Sequence, residues 1–109
     1  MNNSVTKNSQ SARVNEIIKQ VVEILDAELG GKENYQLFLF GSRAKGQFSE
    51  NADIDLALSS NSMTEKQFRE IKRKVANLRT LYSVDLVHLE AVESDFRKII
   101  LSEDREINV

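Results

Sequence analysis

Asp53 and Asp55 stand in the apolar run "NADIDLAL", and Asp85 stands in a second one, "SVDLVHL". Successive strand side chains point to opposite faces, so Asp53 and Asp55 share one face while Ile54, Leu56 and Leu58 share the other. The same alternation groups Asp85 with Ser83 and Val87, and turns His88 to the reverse with Val84 and Leu86. Like charges a few ångströms apart repel and raise one pKa unless something positive lies between them. A divalent metal meets that need. The chain has no cysteine and one histidine, His88, and hard oxygen donors alone favour Mg²⁺ or Mn²⁺. Three carboxylates can hold two such ions, an arrangement that clamps the attacking and leaving oxygens of an in-line displacement at phosphorus. The plainer alternative, turn caps or surface ion pairs, suits any one of these aspartates better than all three together.

Ahead of the first pair lies "GSRAKG", Gly41 to Gly46. Glycine serves where backbone must come close to something or adopt an unusual conformation. Free NH groups at a helix start suit terminal phosphates, and the Ser42 hydroxyl can join them or cap the first turn. Gly41 and Gly46 have the G-x-x-x-x-G spacing of a P-loop, but Gln47-Phe48 stands where Lys and Ser or Thr are required. Arg43 and Lys45 are read either as neutralising triphosphate charge or as solvated helix positions.

Periodicity supplies the elements that must carry these residues. Val14, Ile17, Ile18, Val21, Leu25 and Leu29 recur at helical spacing, and Gly30-Gly31 ends the run. Tyr35–Phe40 suits a strand, "GSRAKG" a short helix, and Asp53–Leu58 a second strand. Ser62-Met63-Thr64-Glu65 has the spacing of a capping box, before a helix with Phe68, Ile71, Val75 and Leu78 along one side. Glu65 with Arg69 and Glu70 with Lys74 are predicted pairs on its outer face. Ser83–Leu89 is the third strand, and "ESDFRKII" a last helix whose Phe96, Ile99 and Ile100 serve either the core or a partner. This order indicates a small α/β or α+β sheet covered by helices.

At 109 residues and 40% hydrophobic content, one domain is expected, with residues 1–10 a flexible polar tail and 11–109 the folded part. Fifteen basic and 17 acidic residues leave a net charge of −2, so no general attraction to nucleic acid is expected. Lys66, Arg69, Lys72, Arg73, Lys74 and Arg79 crowd one helix, but interspersed Glu65 and Glu70 make that a solvated face. His88 is read as structural, and Tyr35 and Tyr82 as packing at strand ends. With neither a signal-peptide core nor a membrane-length apolar run, the expectation is a cytoplasmic protein.

Gly41-Ser42, ten residues, then Asp53-x-Asp55 resembles the signature of the DNA polymerase beta-type nucleotidyltransferase superfamily, in its minimal (MNT) branch; Asp85 matches the family's later aspartate. The resemblance covers about Tyr35 to Leu101. It implies a small mixed sheet backed by helices, and transfer of a nucleoside monophosphate from an NTP with release of pyrophosphate. In that pattern Asp53 and Asp55 ligate Mg²⁺, Asp85 holds the ion that activates the acceptor hydroxyl, and Gly41 and Ser42, with Arg43 beside them, bind the nucleotide's phosphates. Ala52 and His88 depart from common usage, where Ser and a further Asp often stand, and neither replaces a metal ligand. Minimal members are frequently encoded beside a HEPN-domain toxin, so the resemblance implies a partner. Some such antitoxins adenylylate a toxin tyrosine with ATP in a type VII toxin–antitoxin pair. A chain of this size is expected to hold the catalytic core without a separate acceptor domain, which points the same way. Stoichiometric inhibition without catalysis, and transfer to a small molecule such as an antibiotic, are the alternatives.

Overall fold

The computed structural model describes residues 12–46, 52–103, 105 and 106. The predicted tail, Gln47-Phe48 and the closing Ile107 and Val109 lie outside them. Helix α1, Ala12–Leu29, buries Val14, Ile17, Ile18, Val21, Val22, Leu25 and Leu29. It ends at Gly30, whose φ of 88° is the left-handed conformation expected there. After a 3₁₀ turn at Lys32–Asn34 come strand β1, Gln36–Phe40, and the single-turn helix α2, Ser42–Lys45. Strand β2, Ile54–Ser59, helix α3, Glu65–Ala76, and strand β3, Val84–His88, follow. Helix α4, Ser94–Glu103, and the two-residue strand β4, Arg105–Glu106, complete the described fold.

The sheet order is β3-β2-β1-β4, with β2 and β3 parallel and the other neighbours antiparallel. The sheet is therefore mixed, as the resemblance implied. On one face Leu37, Leu39, Ile54, Leu56, Leu58 and Leu86 pack against α1 and α3 in the main core. On the other, Phe38, Phe40, Ala57 and Leu89 meet Ile100 of α4. Ile100 is fully buried, whereas Phe96 and Ile99 are 39% and 53% exposed, so α4 divides its apolar residues between core and surface. The carboxylates lie on this second face.

Three local expectations need correction. The capping box is Thr64 with Gln67, not Ser62 with Glu65: Thr64 Oγ1 accepts from the Gln67 N–H at 3.0 Å, and Gln67 Oε1 accepts from the Thr64 N–H at 2.8 Å. Starting the helix there leaves Met63 outside it, free to enter the core cluster that Phe68 also joins. Ser42 does not cap α2; Gly41 occupies the cap position, with no side-chain hydrogen bond. Glu70 pairs with Arg73, while Lys74, on the flank nearest α1, reaches Glu28 instead. The expected Glu65–Arg69 pair forms at 3.1 Å.

Candidate active site

The site sits where the end of β1 meets the starts of β2 and β3. Phe40 pairs with Asp55 across the antiparallel ladder, and Asp55 pairs with Asp85 across the parallel one. Asp53, two residues before Asp55, shares its face by alternation. The three aspartates thus come to one face at one end of the sheet, on the side opposite Ile54, Leu56 and Leu58, each fully buried. His88 lies on the other face, its ring 5.3 Å from Phe68, as the alternation predicts.

Asp53 and Asp85 are exposed and Asp55 is partly buried. Burial, then the Asp85 and Asp53 carboxylates, push the Asp55 carboxyl above its ordinary value, with Arg43 pulling the other way. Among the described residues, no three His, Cys, Asp or Glu side chains are gathered into a ready metal cage. What the fold supplies is a common face and a shared repulsion. Hard oxygen donors whose charge is incompletely offset fit a divalent cation such as Mg²⁺ or Mn²⁺.

Gly41, directly after Phe40, lies against this cluster. Its φ of 76° and ψ of −156° fall in a region reserved for glycine. A Cβ built there would lie 2.5 Å from Asp55 Oδ2. No side chain fits between the turn and the carboxylate. Ser42 is exposed next to it, at the start of α2, whose single turn ends at Gly46 in the left-handed conformation. Lys45 forms an ion pair with Glu103 of α4 at 3.2 Å.

Arg43 is not a solvated helix position. It is 2% exposed. Its Nε and Nη2 donate to the Ala52 carbonyl at 3.0 and 2.8 Å, and its guanidinium lies 5.4 Å from the centre of the Tyr82 ring. Sequence reasoning missed this because the acceptor is a backbone carbonyl, which no side-chain identity encodes. Tyr82, read only as packing at a strand end, carried the one available signal: an aromatic ring close before Asp85.

The model of the family described as polymerase beta nucleotidyltransferase matches residues 19–108. The chain belongs to that family. The nucleotidyltransferase signature, Gly41-Ser42 followed by Asp53-x-Asp55, is thus the turn and strand that the fold brings together. A relative from Haemophilus influenzae, named "probable protein adenylyltransferase MntA", is 30% identical over 95 residues, spanning 86% of this chain and 75% of the relative. Among solved structures, a toxin–antitoxin with AMP-PNP superposes with a TM-score of 0.62 at 21% identity, covering 81% of this chain and 69% of that one. A Shewanella oneidensis complex of a tri-AMPylated HEPN toxin with an MNT antitoxin gives 0.60 at 18% identity, covering 84% and 69%. At such identities these two likenesses bear on the fold, and they agree with the nucleotidyltransferase assignment.

Proposed function

We propose that this nucleotidyltransferase moves AMP from ATP to a tyrosine hydroxyl of a HEPN toxin, in a Mg²⁺-dependent reaction, and acts as the antitoxin of a type VII pair. The observation that carries the reading is the register that sets Asp55 beside Asp85 with Gly41 packed against the Asp55 carboxylate. The relative named as a protein adenylyltransferase supports the choice of a protein acceptor.

In this reading Asp53, Asp55 and Asp85 would hold the metal. Mg²⁺, when bound, offsets triphosphate charge and makes the acceptor hydroxyl a better nucleophile. Gly41 lets the backbone pass close to the β and γ phosphates, and the exposed Ser42 offers a hydroxyl and an N–H to them. The acceptor hydroxyl gives up its proton to solvent, its oxygen bonds to the α-phosphorus as the bond from that phosphorus to the bridging oxygen breaks, and pyrophosphate leaves. The carboxylates' open face leaves room for an acceptor carried on a separate protein. Three carboxylates suit two Mg²⁺ ions, and Mn²⁺ fits the same donors as an alternative.

Purified protein incubated with α-labelled ATP, Mg²⁺ and the co-encoded partner is expected to label the partner, with a mass gain of whole AMP units. Asp53→Ala with Asp55→Ala is expected to abolish labelling. Neutralisation of the partner by that double variant would instead establish inhibition by binding alone. Labelling of a small molecule but no protein would move the acceptor to the antibiotic-type class.

A further inference from the structure

A buried arginine is costly unless it is hydrogen-bonded and partnered, so the position of Arg43 calls for a reason. Its contacts connect three separate stretches of chain. Arg43 itself directly follows Gly41-Ser42. Ala52, whose carbonyl takes two of its N–H groups, directly precedes Asp53. Tyr82, under its guanidinium, stands three residues before Asp85. Each stretch delivers one part of the site, and one side chain touches all three.

The ladder by itself leaves this end loosely specified. The Ile54 N–H donates to the Ser83 carbonyl at 2.8 Å, fixing β2 to β3. That bond fixes neither the turn after β1 nor the angle at which Ala52 leads into Asp53. We propose that Arg43 is a positioning residue for nucleotidyl transfer: through the Ala52 carbonyl and the Tyr82 ring it sets the spacing between Gly41-Ser42, Asp53-Asp55 and Asp85. This rests on the nucleotidyltransferase reading above and departs from a direct phosphate contact. Lysine cannot substitute, because a point charge on a flexible stem has neither the planar fork nor the stacking face.

The test uses the full chain and measures transfer kinetics to the co-encoded partner and Mn²⁺ affinity by paramagnetic resonance. For Arg43→Met and Arg43→Lys, kcat and Mn²⁺ affinity are each expected to fall about 10- to 100-fold, as for other groups that orient metal ligands. The KM for ATP is expected to stay within about threefold, since the guanidinium does not touch the nucleotide. Tyr82→Leu is expected to lower kcat about threefold or more by the same route. A tenfold rise in KM at unchanged kcat would overturn the proposal in favour of a phosphate contact. A lower Tm with kcat and Mn²⁺ affinity intact would reduce Arg43 to packing. If the Arg43 variants fail to fold, wild-type kcat and Mn²⁺ affinity in folded Tyr82→Leu would overturn the proposal instead. Wild-type protein that binds no Mn²⁺ and labels no partner overturns the underlying reading and this proposal with it; an active wild type with equally active Arg43 variants overturns the positioning role alone.

Discussion

Replacing Gly41 by alanine tests the site where fold and chemistry meet most closely. The substitution adds one methyl group and is expected to do two kinds of damage. The backbone at φ 76° and ψ −156° is open essentially to glycine alone, and holding alanine there costs about 1–3 kcal/mol. For a domain of this size that lowers Tm by roughly 5–20 °C. The new Cβ also falls 2.5 Å from Asp55 Oδ2. Strand β2 is paired on both sides and buries Leu56 fully beneath it, so the backbone of Asp55 cannot recede. The carboxylate must swing away instead, and a misplacement of about 1 Å costs on the order of 100-fold in transfer rate. Gly46 is the control. It has the same φ, 76°, but among the described residues a Cβ there meets nothing within 4 Å. Gly46→Ala should lose only the left-handed penalty of about 1–2 kcal/mol, with transfer near that of wild type. Thermal unfolding by circular dichroism and partner labelling read the two effects separately. In an Asp55→Ala background Gly41→Ala should lose only its backbone part, leaving a coupling of about 0.5–3 kcal/mol between the two positions. Zero coupling, or a Gly41→Ala protein that melts and labels like wild type, would refute the reasoning.

Two further outcomes follow from the ionisable groups. Because the Asp55 carboxyl is raised above its ordinary 3.8, its charge opposes folding at neutral pH, and this cost disappears as pH falls below 3.8. Asp55→Asn should therefore raise Tm at pH 7 by a few degrees, from roughly 0.2–1 kcal/mol for relieving like charges across a ladder. It should abolish labelling and lose the Tm gain that Mg²⁺ is expected to give the wild type; scanning fluorimetry with and without Mg²⁺ checks this. At the other end of β1, Tyr35 Oη donates to Asp26 Oδ1 at 2.7 Å. That bond holds Asp26 below its ordinary 3.8, while burial, then Asp26, raises Tyr35 above its ordinary 10.0. Tyr35→Phe should cost about 1 kcal/mol between pH 4 and 10. The difference from wild type should shrink on either side: below pH 3.8 as Asp26 protonates, and above pH 10 as the unfolded tyrosine ionises. Urea titrations at pH 3, 7 and 11 would show whether it does.

The parts of this fold that were legible in the sequence depend on repeating patterns. Alternation in "DIDLAL" separates charge from core, and the structure leaves Ile54, Leu56 and Leu58 with no exposed surface at all. The helical stripe of α1 likewise matches its buried residues, with Val22 added. Patterns fail where the partner is not a side chain or is far along the chain. Arg43 looked like a solvated or phosphate-facing cation because nothing in its residue type announces a carbonyl nine residues on. Lys74 found Glu28 on another helix in place of its near neighbour Glu70. The cap lies two residues later than that spacing suggests, at Thr64, with Met63 buried just before it. Strand β4 was missed altogether, since two residues are too few to show a period.

The mixed pairing of the sheet also sets a timetable. Gly41 and Asp55 are joined by the antiparallel β1–β2 pair, whose loop closes over a short stretch of chain. Asp85 arrives only with β3, whose parallel pairing requires the chain to pass back through α3. Contacts of long sequence separation form later than local ones, because their loop-closure entropy must be met first. The proposed nucleotide end is therefore expected to form before the proposed acceptor end. On the proposed function, a chain whose edge strand β3 has peeled away is expected to keep Gly41-Ser42 and the first two aspartates, and so to bind nucleotide without transferring it.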